Sequence, residues 1–248
     1  MVATGVIGAA HWQDVECGAY AADLGRLREL AVAAGGPVAE LGAGTGRVAL
    51  ALAETGAELI AIERDPELAA ELRDRAAAAG AERIHVLVAE AVAAPIESGS
   101  LALALAPMQF LHLLPAPDRA KLLERVAAWL RPGGRLAAVV LAEPSAASPE
   151  DAEPPVPDVR ELENGWVLSS LPLSVRAEPG RIEVDRLRQT VSPSGELAEG
   201  RSTDVLWDLD AGALVSDASR FGLFELSRES LPGDELHVDS VLVVMERR

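Results

Sequence analysis

The residues best suited to chemistry are three alternating glycines that follow a short apolar run. The stretch Pro37–Arg47 reads P-V-A-E-L-G-A-G-T-G-R, so Glu40 precedes Gly42, Gly44 and Gly46. Glycine lets the backbone turn sharply and approach a ligand closely, which a Cβ atom would obstruct. Free N–H groups at the start of the helix that follows can bind polar or anionic groups. The stretch therefore predicts a cofactor loop.

The spacing of the glycines is compatible with a dinucleotide. Dinucleotide-binding loops read G-x-G-x-x-G or G-x-G-x-x-A. Counted from Gly42 the third position is an arginine, whereas counted from Gly44 it is Ala49, which fits. Glu63 ends the second predicted strand, nineteen residues after Gly44, where an acid can accept hydrogen bonds from both ribose hydroxyls of an adenosine. The neighbouring Arg64 also leaves the 2′-phosphate of NADP open.

Polar side chains also follow the fourth predicted strand. The run Leu101–Ala106 carries no charge, as expected of a central parallel strand covered on both faces, and it ends at Pro107. In open α/β sheets, ligands bind beyond the carboxyl ends of the strands. Gln109 and His112 are therefore expected to lie near the ligand. A histidine inside F-L-H-L-L is, however, also typical of a packed helix.

Together with its acid, the glycine loop resembles the first motif of the class I S-adenosylmethionine (SAM) dependent methyltransferases. A second match is W-L-R-P-G-G-R-L, residues 129–136, which is similar to the family's L-x-P-G-G-x-L turn and is not normal in dinucleotide enzymes. The resemblance covers about residues 20–142 and 205–248. It implies an enzyme that transfers a methyl group from SAM to an O, N or C atom of a small molecule and leaves S-adenosylhomocysteine.

The resemblance also assigns the cofactor contacts. It implies that the glycine loop passes beneath the methionine part of SAM, that Glu40 orients the amino group and that Glu63 holds the ribose. An acid after the third strand, here Glu90 where aspartate is commoner, would meet the adenine. The implied SAM residues are Glu40, Gly42, Gly44, Gly46, Glu63, Glu90, Ala91 and Pro107. Two alternatives remain: Glu40 bonding only the amides of its own turn, and Glu90 facing solvent.

Residues of the acceptor side are less well defined. In many methyltransferases of this type the N-terminal segment folds over the SAM site, so His11, Trp12 and Tyr20 are candidate substrate-lining residues, with ordinary packing as the alternative. The family places the surroundings of the methyl-accepting atom after the fourth strand, so the resemblance implies that Gln109 could orient the acceptor and that His112 could take its proton. These two are the candidate catalytic residues. No metal is expected, because the sequence has no H-x-x-x-H pattern and no carboxylate cluster.

The elements that must position these residues alternate between strands and helices, which predicts an α/β fold. We expect a seven-stranded Rossmann-like methyltransferase sheet, mostly parallel with an antiparallel last strand, and a small antiparallel insertion after the fifth strand. The expected segments are a helical cap (1–36), a SAM-binding core (37–142), a Pro- and acid-rich mobile loop (143–165), an antiparallel insertion forming the acceptor pocket or a dimer contact (166–209), and a C-terminal helix and hairpin (210–248).

Composition limits the partners. The formal net charge of −17 argues against nucleic acid or an anionic membrane surface, since both need basic patches. Cys17 is the only cysteine, so no intramolecular disulfide is possible and a reducing cytoplasm is the expected compartment. The longest uncharged stretch, Ser100–Pro117, is too short and too interrupted to cross a membrane. A small-molecule acceptor is therefore expected, with a homodimer left open.

The sequence leaves two other functions open. A nicotinamide-dependent oxidoreductase is compatible with the spacing that begins at Gly44 and with Glu63. A non-catalytic SAM-binding module, acting as a regulator or partner subunit, is compatible with the lack of an obvious catalytic residue.

Overall fold

A computed structural model describes residues 7–142, 156–233 and 237–248. Residues 143–155 of the expected mobile loop therefore lie outside the described residues. The α-helices are α1 Ala9–Cys17, α2 Leu24–Ala34, α3 Arg47–Ala53, α4 Pro66–Ala78, α5 Ala116–Trp129 and α6 Ala211–Ser219. Short 3-10 helices cover Ala91–Ala93 and Phe110–Leu113.

The main sheet has the strand order β3-β2-β1-β4-β5-β11-β10. Its strands are β1 Val38–Leu41, β2 Leu59–Glu63, β3 Ile84–Val88, β4 Leu101–Ala106, β5 Leu130–Leu141, β10 Leu223–Leu231 and β11 Ser240–Arg247. Strands β1 to β5 run parallel, and β11 pairs antiparallel with both β5 and β10. The strand order reverses beside β1, because β2 and β4 lie on its two sides. The predicted seven-stranded sheet is confirmed.

The sheet is covered on both faces, which explains why its central strands are apolar except at Glu40. Every residue of β1 and β4 is buried. One face packs on α5 and α6 through residues such as Trp129 and Leu214, and the other packs on α2, α3 and α4 through Leu27, Leu52 and Leu72. Within the described ranges, no helix is long and apolar enough to cross a membrane.

A second sheet is inserted between β5 and α6, as predicted. Its antiparallel order is β6-β7-β8-β9, formed by β6 Asp158–Glu161, β7 Val167–Glu178, β8 Arg181–Val191 and β9 Leu197–Trp207. We call it the small sheet. Strand β6 lies within the segment expected to be a loop, so that expectation is wrong for these four residues. Its sequence, D-V-R-E, has no apolar alternation and is ordered by pairing with β7.

The arginines of the small sheet pair mainly with acids. Arg176 pairs with Asp185 and Glu183, and Arg186 lies 3.2 Å from both Asp158 and Asp204. Pairing of this kind uses their charge within the sheet.

Candidate active site

The glycine loop follows β1. We call its backbone at Gly42, Gly44 and Gly46 the glycine cradle. Gly42, Gly44 and Gly46 have positive φ angles of 70, 55 and 98°, a region that side chains rarely adopt. A Cβ atom on Gly42 would overlap the ring of Phe110, and one on Gly44 would lie 3.0 Å from Nε2 of Gln13. Only glycine fits these positions, so the loop backbone meets whatever lies above it without an intervening side chain.

Glu40 is a buried carboxylate with an unused oxygen. Its side chain is 1% exposed, and its Oε2 has no hydrogen-bond partner among the described residues. Burial raises the pKa of Glu40 to about 8; the charge of Arg47 opposes this, and the charges of Asp23 and Glu63 add to it. A buried polar atom without a partner is costly. The oxygen is therefore available to a donor or cation that enters the cradle.

Glu63 ends β2 beside the same loop. Its Oε2 accepts the Gly44 N–H at 2.9 Å and its Oε1 accepts the Asp65 N–H at 2.8 Å. The structure thus brings Glu63 and the glycine loop together. Each carboxylate oxygen can accept a second hydrogen bond, so ribose hydroxyls could still be bound.

Glu90 lies one strand further out, after β3. It is exposed, and its carboxylate lies 3.8 Å from the guanidinium of Arg64, the residue that follows Glu63. Ala91 begins the adjoining 3-10 helix. Glu90 faces solvent in this structure, which was the alternative reading, and its role toward adenine stays a prediction.

Helix α1 covers the glycine loop, and two of its residues were missed by the sequence analysis. Gln13 lies over Gly44. Asp14 accepts a hydrogen bond from Thr45 of the loop at 2.7 Å and forms ion pairs with Arg75 at 2.5 Å and Arg160 at 2.9 Å. No motif marks these residues, because the contacts join positions far apart in the chain. The bonds fix α1 on the loop.

The segment after β4 has an unusual backbone. Met108 and Gln109, both non-glycine, have positive φ angles of 44 and 56°. Such residues are held in a sparsely populated conformation by their surroundings and occur often at functional sites. Nε2 of Gln109 donates to Oγ of Ser240 at 2.7 Å. The turn carries Phe110 onto Gly42 and follows Pro107, which is buried at the end of β4.

His112 does not have the geometry of a general base. Its Nδ1 lies 3.0 Å from the Trp207 carbonyl oxygen, and its Nε2 accepts the Leu141 N–H at 3.2 Å. Burial lowers the pKa of His112 to about 4, more than the bond to Trp207 raises it. With both nitrogens bonded to backbone and the ring fully buried, His112 cannot take a proton from a substrate. This geometry favours the packed-residue alternative.

The predicted substrate-lining residues are dispersed. His11 accepts the Gly8 N–H at 3.3 Å through Nδ1, close to its own helix start. Trp12 lies on the other side of α1, where the guanidinium of Arg188 stacks on its ring at 5.2 Å. Tyr20 is buried against Arg47 and His237. The structure gathers none of these three around the glycine cradle, so their substrate roles stay predictions.

The residues that do meet at the cradle fit SAM. The backbone of the loop glycines, free of side chains, lets the methionine part approach closely, and the unused Glu40 oxygen suits its amino group, since a buried carboxyl oxygen needs a hydrogen-bond partner. Glu63 lies where a ribose can reach it. Among residues 7–142, 156–233 and 237–248, no group of three or more His, Cys, Asp or Glu could hold a metal ion.

Comparison with known proteins agrees with this geometry. Residues 38–134 match the family described as "Methyltransferase domain". No curated protein sequence matches the chain. The matched region begins at β1 and includes the glycine loop, Glu63, Glu90 and the Pro-Gly-Gly turn.

Solved structures share the fold over nearly the whole chain. The CcbJ methyltransferase of Streptomyces caelestis is 22% identical, with 93% of this chain and 98% of that chain covered and a TM-score of 0.67. The sugar N-methyltransferase KedS8 of Streptoalloteichus is 15% identical, with 96% and 91% covered and a TM-score of 0.71. The glycopeptide N-methyltransferase MtfA, complexed with S-adenosylhomocysteine, is 22% identical, with 91% and 87% covered and a TM-score of 0.61.

These matches decide between the two cofactor families that the glycine spacing left open. The domain match and the shared fold support an enzyme that uses SAM on a small molecule, not a nicotinamide-dependent oxidoreductase. The chain carries a methyltransferase domain over residues 38–134 and shares the fold of solved methyltransferases, which agrees with the family that its glycine loop and its Pro-Gly-Gly turn indicated.

Proposed function

We propose that the protein transfers a methyl group from SAM to a nitrogen atom of a small-molecule acceptor. The observation that carries the cofactor half is the unpartnered Oε2 of buried Glu40 beside the glycine cradle. The nitrogen acceptor is supported by the lack of a usable base at His112 and by the chemistry of two relatives in fold, KedS8 and MtfA, which are N-methyltransferases.

The chain's own residues would bind and orient the cofactor. SAM, when bound, supplies an electrophilic methyl group on a sulfonium. Glu40 accepts a hydrogen bond from the amino group, and the backbone of Gly42 and Gly44 borders the methionine part. Glu63 accepts the ribose hydroxyls, and Glu90 with the Ala91 N–H meets the adenine. Pro107 closes the cradle from the end of β4.

An amine acceptor explains how the site works without a general base. A neutral amine already carries the lone pair that attacks, so the protein needs to hold it in line and exclude water. The carboxamide oxygen of Gln109 makes no hydrogen bond within the described part of the chain, while its nitrogen is fixed on Ser240. That oxygen can accept an N–H of the acceptor and orient it, which keeps Gln109 as a proposed substrate-orienting residue.

The setting of the enzyme is also a proposal. The single cysteine, Cys17, fits a reducing cytoplasm, and burial raises the pKa of its thiol to about 12, so it stays protonated and unreactive. The net charge of −17 fits a protein that avoids nucleic acid and anionic membranes. A homodimer formed through the small sheet is the oligomer to test, by light scattering on the purified protein.

The proposal can be tested with paired acceptors. The protein is incubated with SAM and a panel of amino sugars and other small amines, each matched with an analogue that has hydroxyl in place of the amine. We expect S-adenosylhomocysteine and a product one methylene heavier only with amines. Products from the hydroxyl analogues alone would overturn the nitrogen assignment, and SAM binding without turnover on any panel member or in a cell extract would favour a non-catalytic module.

A further inference from the structure

The segment that follows β4 makes side-chain bonds to three junctions of the chain. Leu141 ends β5, the last core strand before the small sheet. Trp207 ends β9, the last strand of the small sheet, and Ser240 begins β11. The bonds come from Gln109 and His112, the two residues that the sequence marked as catalytic. Both side chains therefore help to hold strand ends in place.

His112 bonds the end of β5 and the end of β9 at the same time. The Leu141 N–H donates to Nε2 at 3.2 Å, so Nε2 carries no proton and the proton lies on Nδ1. Nδ1–H then donates to the Trp207 carbonyl at 3.0 Å. One fully buried ring thus joins the residue where the chain leaves the core sheet to the residue where it returns.

Arg119 supports the same junction from α5. It is 4% exposed, and its guanidinium donates to the Leu114 carbonyl at 3.1 Å and lies 3.5 Å from the carbonyl oxygen of Asp208, the neighbour of Trp207. At the end of β9, the Trp207 carbonyl therefore faces His112 and the Asp208 carbonyl faces Arg119.

The small sheet is in turn bonded to α1. Glu16 of α1 accepts hydrogen bonds from Ser170 of β7 and from Arg188 of β8, each at 2.7 Å. The same helix carries Gln13 over the glycine loop and bonds Thr45 through Asp14. The position of the helix that covers the cradle thus depends on the position of the small sheet.

We propose that His112 is a positioning residue for methyl transfer: by tying the end of β9 to the end of β5 and to the segment after β4, it sets where the small sheet and α1 lie relative to the glycine loop. Its effect on the acceptor rests on the proposed function. Its effect on the fold does not, because the two bonds are independent of any ligand.

A histidine suits this task because a neutral imidazole offers one donor and one acceptor at a fixed separation. Substitutions can remove them one at a time. In His112→Asn the amide nitrogen can replace Nδ1 and keep the Trp207 bond, while the Leu141 N–H loses its acceptor. In His112→Gln the side-chain oxygen can replace Nε2 and keep the Leu141 bond, while the Trp207 carbonyl loses its donor.

Hydrogen exchange of the full chain, alone and with SAM, tests the structural arm, with the exposed His85→Gln as the matched control. We expect amides at 203–208 to exchange at least tenfold faster in His112→Gln, and the Leu141 amide to do so in His112→Asn. Because α1 covers the glycine loop, we expect SAM affinity to fall by less than tenfold. Wild-type rates in both variants, or equal acceleration throughout the core sheet, would overturn the proposal.

Kinetics test the functional arm once the amine panel has yielded an acceptor. We expect the acceptor concentration for half-maximal rate to rise at least fivefold in both variants at saturating SAM. A loss of SAM affinity of more than tenfold would instead assign His112 to the cofactor site and refute the proposal. If no amine is methylated, the nitrogen assignment fails while the exchange experiment still decides the role of His112.

Discussion

At the scale of single residues, Glu40 combines function with a cost in stability. Its folded-state pKa of about 8 lies above the ordinary glutamate value of 4.5, so the folded chain holds a proton that the unfolded chain releases as the pH rises. The stability associated with the protonated carboxyl is full below about pH 4.5 and is lost as the pH rises toward 8.

A neutral side chain at position 40 should therefore stabilise the protein at high pH only. We predict that Glu40→Gln matches wild type near pH 5 and exceeds it at pH 8.5 by at least about 2 kcal/mol, or roughly 5 °C in the midpoint of thermal unfolding. The exposed Glu97→Gln serves as the control. An identical difference at both pH values would mean that Glu40 is not protonated in the folded state.

The glycine cradle allows a matched comparison of two glycines. Gly42 and Gly56 share a φ of 70°, but a Cβ on Gly56 meets nothing within 4 Å, whereas one on Gly42 meets Phe110. We predict that Gly56→Ala costs about 1–2 kcal/mol from backbone strain alone and leaves SAM binding intact. Gly42→Ala should cost more and weaken SAM binding at least tenfold, as measured by thermal unfolding and titration. Equal losses of stability and of SAM affinity in the two variants would show that SAM does not bind at the glycine cradle.

At this scale, the sequence predicted the positions of site residues where a motif depends on local structure. Glu40, the loop glycines and Glu63 could be identified because a strand end, a tight turn and a fixed spacing place them together. The bonding of His112 could not be predicted, since its partners Leu141 and Trp207 lie 29 and 95 residues away along the chain. Polar character beside a strand end does not reveal whether backbone groups already occupy a side chain.

At the scale of elements, α1 connects the site to the small sheet through Asp14. Burial is the largest influence on the pKa of Asp14 and raises it, but hydrogen bonds from Arg75 and Thr45 and the charges of Arg75 and Arg160 together lower it below 3.8. The stability that Asp14 contributes is therefore present above about pH 4 and is lost as the pH falls below it.

Removing that charge should release the helix. We predict that Asp14→Asn lowers the free energy of unfolding by about 1–2 kcal/mol at pH 7, because Arg75 and Arg160 are partly exposed and water screens the loss. Amides at 9–17 should exchange at least tenfold faster. Asp118→Asn, which breaks an exposed pair with Lys121, is the control, and unchanged exchange at 9–17 would show that other contacts hold α1.

The elements themselves were predictable to different degrees. The parallel strands could be recognised because burial on both faces requires uninterrupted apolar runs such as Leu101–Ala106. Helix α1 was covered only by the general expectation of a helical cap, and strand β6 was missed, since both depend on tertiary contacts: α1 is fixed by Asp14 and Glu16, and β6 by its pairing with β7.

At the scale of the whole molecule, the charge of −17 should favour the cofactor over the product. SAM carries one more positive charge than S-adenosylhomocysteine, so the field of an acidic protein attracts it more strongly, and salt screens that attraction. We predict that raising the salt concentration from about 20 to about 500 mM weakens SAM binding at least about threefold more than it weakens binding of the product. Equal losses for the two ligands would mean that the overall charge has no part in cofactor selection.

The central claim is that SAM binds in the glycine cradle with its amino group on Glu40. The most direct measurement is calorimetric titration of the wild-type protein with SAM at pH 7 in two buffers of different ionisation enthalpy. Because Glu40 is protonated before binding and would face a cation afterwards, we predict release of about one proton per SAM bound. The same titration of Glu40→Gln should give weaker binding and no proton release. Absence of SAM binding, or wild-type binding with no proton released, would contradict the account.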